Sequence, residues 1–290
     1  MKLKHKVITK MIVKKLTRAE IDFMLYIIQY QRNAGNVVGV YYKEIKKALN
    51  ISTQTFYDLK ESLIKKGLIT AEKGSYSDWN IQISGNDFYY ENSEAPELPE
   101  LEEKIIINEP YLNLNLKIFQ NDEFKSLKAG EKLLFLEFLR MQVASRGQYS
   151  IKIRVEEFYK KYKALFGVQK RVLQNYLTTL KKFFSIGIKN GMYYITALKD
   201  TLKKDSRVES RVQDEFAFNT LCRRNKIEKD KKARDTFVLI RQYAKKGCNF
   251  NKLQIAIMKS WKLLNKNLDP KKWNLELRPE FIHKLLLEIL

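Results

Sequence analysis

Residues 168–184, VQKRVLQNYLTTLKKFF, set Lys170, Arg171, Gln174, Asn175 and Thr178 on one side of a helical period. Leu173, Leu177, Leu180 and Phe184 fall at i, i+4, i+7 and i+11 on the opposite side, an apolar stripe suited to a core. The carboxamides of Gln174 and Asn175 offer a donor and an acceptor together, which matches a base edge. Lys170 and Arg171 suit phosphate or guanine. No carboxylate interrupts the outward face, so the chemistry implied is recognition of a polyanion.

A second segment of the same kind is ALNISTQTFYDLKESLIKKGLI, residues 48–69. Ser52 is a helix N-cap by type, and Phe56, Leu59 and Leu63 share one face behind it. Thr53, Gln54 and Thr55 make up the polar first turn, and Tyr57 points outward with Asp58 and Glu61. Gln54 can pair bidentately with adenine, while Thr53 and Thr55 can bond phosphate or meet a thymine methyl. The two carboxylates restrict this helix to contact through its first turn, or else assign it to a protein partner. Lys73, with Tyr76 nearby, and Lys189 stand at the ends of candidate hairpins. Arg223 and Arg224 open a basic cluster with Lys226, Lys229, Lys231, Lys232 and Arg234 that could follow a phosphate backbone.

Residues for bond-making chemistry are sparse. Cys222 and Cys248, His5 and His283 are scattered singly, which gives no zinc-ligand spacing and no disulfide framework. The sequence has no G-x-x-x-x-G-K-[ST], no H-x-E with C-x-x-C, no G-x-S-x-G and no His-x-His. The expectation is a protein that is not an enzyme and uses no cofactor and no metal.

The elements that must position these residues follow from periodicity. LTRAEIDFMLYIIQYQ reads as a helix, with Thr17 and Glu20 forming a capping box and Ile21, Leu25 and Ile28 on one face. NVVGVYY is a short strand, YKEIKKALN a short helix, and Asn50-Ile51 the turn before the helix capped by Ser52. Gly67 ends that helix, and LIT and WNIQI make two strands around an exposed loop. Residues 127–198 repeat the order. A helix carries Leu133, Leu136 and Leu139, QYSIKIR is a strand, VEEFYKKYKALFG a short helix, and Gly167 the turn. The 168–184 helix follows, then a hairpin on Asn190-Gly191.

This order resembles the winged helix-turn-helix superfamily. The resemblance rests on Leu49-Asn50-Ile51-Ser52, Thr55-Phe56, Leu59, Leu63 and KKGLI. It implies that these residues form the turn, the core side of a recognition helix and the start of a wing. Asn50 replaces the commoner glycine of the turn, which Asn tolerates because it accepts left-handed geometry. Such a helix is about as wide as the major groove. Two such units with a basic tail are also similar, in architecture alone, to plasmid Rep-type replication initiators that do not nick DNA.

Charge divides the chain. The net is +7 over residues 1–90, −6 over 91–126, +11 over 127–199 and +10 over 200–290, within a total of +22. ENSEAPELPELEEKIIINEP carries three of the five prolines, which with its glutamates reads as an acidic linker. The expected organisation is mainly α with small β wings. Residues 1–90 form one winged-helix domain, 91–126 an acidic linker, 127–199 a second winged-helix domain and 200–290 a basic helical domain. Its apolar end, FIHKLLLEIL, suits either internal packing or a contact with a second copy or a protein partner. No apolar run approaches the ~18 residues of a membrane span, and the Lys-interrupted N-terminus lacks a signal-peptide core, so the expected place is the cytoplasm. The expected partner is double-stranded DNA, read for transcription regulation or, alternatively, for replication initiation.

Overall fold

The computed structural model describes residues 1–32, 35–74, 77–88, 110–144, 150–198, 206–245 and 277–289, with 254, 257, 258, 262, 266 and 267. The described chain is mainly helical with small antiparallel sheets. It divides into two compact units, Met1–Glu209 and Ser210–Leu290.

The first unit opens with β1 (Lys2–Lys4) and α1 (His5–Val13). Then come α2 (Arg18–Ile28), β2 (Asn36–Tyr41), α3 (Tyr42–Leu49), α4 (Thr53–Lys65), β3 (Ile69–Lys73) and β4 (Asp78–Ile83). The capping box expected at α2 is present, with the Thr17 side chain accepting from Glu20 N and Glu20 Oε2 from Thr17 N. Ile21, Leu25 and Ile28 are buried with Phe56, Leu59 and Leu63, and the Phe23 and Phe56 rings lie 5.8 Å apart. The strands form one sheet of order β2-β4-β3.

Residues 110–126, expected as the end of a linker, are folded. They form β5 (Tyr111–Asn113), α5 (Leu116–Gln120) and α6 (Asp122–Ser126). Leu112, Leu114, Leu116 and Phe124 are buried there, and β5 pairs antiparallel with β1. The apolar residues between the acids were the missed signal. Pro96, Pro99 and the rest of 89–109 lie outside the described residues.

The remaining elements of this unit are α7 (Ala129–Ala144), β6 (Ser150–Arg154), α8 (Val155–Phe166), α9 (Lys170–Leu180), β7 (Phe184–Lys189) and β8 (Met192–Ala197). Their order repeats that of α2 to β4, and their sheet, β6-β8-β7, again has the last strand in the middle. The turns before α4 and α9 both use left-handed geometry, at Asn50 (φ 52°) and Gly167 (φ 64°).

The repeat extends to buried polar anchors. Ser62, ten residues after the N-cap of α4, donates to Glu20 at 2.5 Å. Thr179, ten residues after the N-cap of α9, donates to Glu131 at 3.0 Å. Each glutamate also accepts the backbone N–H three residues before it, at Thr17 and Lys128. One carboxylate thus caps the first helix of each module and ties it to the third.

Residues 1–90 and 127–199, expected as separate domains, pack as one unit. Lys132 of α7, fully buried, is ion-paired with Asp22 of α2, and Arg18 donates to Lys125 O at 2.6 Å. Gly130 fixes the approach of α9 to α7. A Cβ there would lie 2.3 Å from the Tyr176 hydroxyl oxygen and 2.6 Å from its ring carbon. Gly130→Ala is expected to destabilise the unit by about 1–3 kcal/mol, the range for overpacking. Adding Tyr176→Ala should relieve the clash. Urea unfolding of the single and double variants checks this, and equal losses in both would exclude the contact as the cause.

The second unit holds most of α10 (Ser206–Arg224) with α11 (Lys231–Lys245) and α12 (Pro279–Ile289) around Phe218, Cys222, Ile240, Ile282 and Leu286. Asp230 caps α11 by accepting from Ala233 N at 2.8 Å. The compact division falls at Ser210, ten residues later than the charge pattern places it.

Candidate nucleic-acid interface

Helix α9 buries Leu173, Leu177 and Leu180 and exposes Lys170, Arg171, Gln174, Asn175 and Thr178. All five nominated residues therefore share the solvent side. The Gln169 side chain makes no capping bond; Val172 N is taken by Gln169 O at 3.1 Å, which leaves the Lys170 and Arg171 amides to an external acceptor. Thr178 donates to Gln174 O at 3.0 Å. Among the described residues no hydrogen bond engages the side chains of Arg171, Gln174 or Asn175.

Beside α9 runs the β7–β8 hairpin. Asn190 (φ 50°) and Gly191 (φ 67°) make the tight turn expected from their types, and Lys189 is exposed just before it. Between helix and hairpin lies an open groove of about 340 Å³, lined by Tyr159, Gln174, Leu177, Thr178, Lys181 and Ile188. Ile188 is 62% exposed. Lys170 Nζ stands 4.9 Å over the Tyr159 ring, and the Tyr159 and Tyr193 hydroxyls bond at 2.8 Å. Burial, then that hydrogen bond, pushes Tyr193 well above the usual phenol range, so it stays protonated. The groove thus joins basic, amide and apolar groups without an acid.

Helix α4 differs. Ser52 is spent on capping: it accepts from Thr55 N at 3.0 Å and bonds the Thr55 hydroxyl at 2.8 Å. Gln54 is exposed but donates to Asp58 at 2.8 Å. Thr53 and Tyr57 are half-buried, and the Tyr57 ring meets Phe56 edge-on at 5.1 Å. Lys60, unremarked in the sequence, is buried with its Nζ 3.4 Å from the Trp79 ring centre and 2.9 Å from Glu61. Its signal was its place within the apolar stripe, four residues after Phe56 and three before Leu63. The first module therefore presents groups already engaged with one another.

Lys73 is exposed at the end of β3, while Tyr76 lies outside the described residues. Arg223 and Arg224 stand in the last turn of α10, in the second unit, and are half-buried. The exposed cations of their cluster are instead Lys226, Lys229, Lys231, Lys232 and Arg234. Cys222, beside them in the chain, is buried in the apolar core of this unit, and burial pushes its thiol up to about 11, against a smaller opposing effect of Lys229. Cys248, Trp261, Trp273 and Leu290 lie outside the described residues. Leu287 of α12 is 61% exposed, whereas Ile282 and Leu286 are buried.

Among the described residues no three His, Cys, Asp or Glu groups converge as a metal site, and no helix is long and apolar enough to cross a membrane. Comparisons with protein-family models, curated proteins and solved structures found no match to this chain.

Proposed function

We propose that this chain is a sequence-selective double-stranded DNA-binding protein built from two winged helices, with α9 entering the major groove and Lys189 contacting the backbone beside it. The observation that carries this reading is the exposed, acid-free face of α9, whose Arg171, Gln174 and Asn175 remain uncommitted. The repeated element order and the central position of the last strand support the winged-helix assignment. In this reading the protein is non-enzymatic and regulates transcription. Exposed Leu287 suits a contact with a second copy or a protein partner, which sedimentation of the full chain would detect.

Arg171→Ala or Gln174→Ala is expected to weaken binding to the preferred duplex by about 1–3 kcal/mol and relax selectivity at the contacted base pair. Genome-wide occupancy would supply the site, and fluorescence anisotropy at fixed salt would measure the loss. Unchanged affinity in both variants would remove α9 from the interface.

One observation favours a second reading, a non-nicking plasmid- or phage-type replication initiator that binds origin repeats. Buried contacts hold the two modules in one unit, so a single chain would offer α4 and α9 to DNA at a fixed spacing. A regulator occupies promoters and alters transcripts when deleted. An initiator occupies repeats beside an AT-rich segment and is required for replicon maintenance.

A further inference from the structure

The sheet of the second module uses only one face for the core, burying Ile151, Phe184, Tyr193 and Ile195. Its register places the alternating residues in three rows on the other face. These are Ser150–Thr196–Ser185, Lys152–Tyr194–Gly187 and Arg154–Met192–Lys189. Lys152, Arg154, Gly187 and Lys189 are exposed, Tyr194 and Met192 are half-buried, and no carboxylate belongs to the rows. Lys152 Nζ lies 5.6 Å from the centre of the Tyr194 ring.

Gly187 has no structural reason to be glycine. Its backbone lies outside the left-handed region, and nothing stands within 4 Å of where a Cβ would be. Glycine inside a strand weakens it, and such a position often marks close approach by a ligand. What the missing side chain leaves is open surface directly across from Tyr194. The matching face of the first module carries Asn36, Gln82, Thr70, Asn80, Glu72, Asp78 and Tyr41, with two carboxylates and no cation. The basic, acid-free face is therefore particular to the second module.

We propose that this face binds single-stranded nucleic acid, with one base stacked on Tyr194 above Gly187 and the strand's phosphates on Lys152, Arg154 and Lys189. Charge complementarity selects a polyanion, and the open ring selects one with an unstacked base, which a duplex does not offer. The surface shares Lys189 with the duplex reading, but Tyr194, Gly187, Lys152 and Arg154 take no part in that reading, so the two stand or fall separately.

The test uses the full chain, a labelled oligothymidylate and a labelled hairpin duplex, read by fluorescence anisotropy. Tyr194→Ala should weaken binding of the single strand about fivefold or more, and Tyr194→Phe should retain it. Neither should change duplex binding. Gly187→Thr should raise the melting temperature, because threonine suits a strand, and yet weaken single-strand binding. Arg171→Ala should weaken the duplex alone. The proposal is overturned if the wild-type chain does not bind oligothymidylate, if Tyr194→Ala or Gly187→Thr binds it like wild type, or if Tyr194→Ala weakens both ligands equally. If single-strand binding depends on Tyr194 while no duplex binds, the duplex reading fails and this one stands.

Discussion

Asp22→Ala is expected to lower the unfolding free energy by about 3–5 kcal/mol, whereas Lys132→Met should change it by less than about 1 kcal/mol. The asymmetry follows from burial. The Lys132 side chain is fully buried and Asp22 is 27% exposed. Removing Asp22 strands an ammonium in the seam between α2 and α7, where no water restores its hydration. Removing Lys132 leaves a carboxylate that still reaches water and has Arg18 at 3.9 Å, while methionine fills the same volume.

The pH dependence has a definite sign. Burial, opposed by Asp22, holds the Lys132 pKa below its ordinary value of 10.5. The unfolded chain therefore binds more protons than the folded one between the folded pKa and 10.5, so this group favours folding more as pH rises through that window. Losing Asp22 deepens the depression and should enlarge the alkaline gain. Urea unfolding of both variants at neutral and alkaline pH measures this. Equal losses in Asp22→Ala and Lys132→Met would reject the assignment of the buried charge.

Glu20→Ala should cost a similar amount, about 3–5 kcal/mol, because it breaks a buried charged network. The carboxylate is 3% exposed and accepts from Thr17 N at 2.7 Å, from Ser62 at 2.5 Å and from Lys66 at 2.6 and 2.7 Å. Burial raises its pKa, but the bonds from Lys66, Ser62 and Thr17 outweigh burial and leave it below the ordinary 4.5. A depressed carboxylate contributes stability that is complete above 4.5 and is lost as pH falls through the folded value. Wild-type stability should therefore fall on acidification, and Glu20→Gln should flatten that fall while lowering stability at neutral pH. An identical acid profile for Glu20→Gln would show that other carboxylates govern it.

Local order was legible where neighbouring residues determine it. The Thr17–Glu20 box, the Ser52 cap, the left-handed Asn50 and the Asn190-Gly191 turn each depend on a few adjacent side chains. The stripes Phe56-Leu59-Leu63 and Leu173-Leu177-Leu180 follow from helical period alone and are buried. The β1–β5 pairing was illegible because two three-residue strands carry too short a pattern and meet across more than a hundred residues. The Asp22–Lys132 pair was hidden for a related reason, since only the packing of α2 against α7 removes it from water. The candidate site divides in the same way. The exposed side of α9 could be read from period, but Gln54 bonding to Asp58 and Lys60 lying on Trp79 are choices made by side chains in three dimensions.

The pairing of β1 with β5 also sets an order of events during synthesis. Leu3 is fully buried beside a strand whose residues leave the ribosome long after β4. At elongation rates of about 5–20 residues per second, roughly 5–20 s separate β1 from β5. Throughout that interval β1 is an unpaired edge able to recruit another nascent chain. The acidic segment translated between them brings the +7 of residues 1–90 close to neutral, so charge repulsion between unfinished chains is weakest just before β5 emerges.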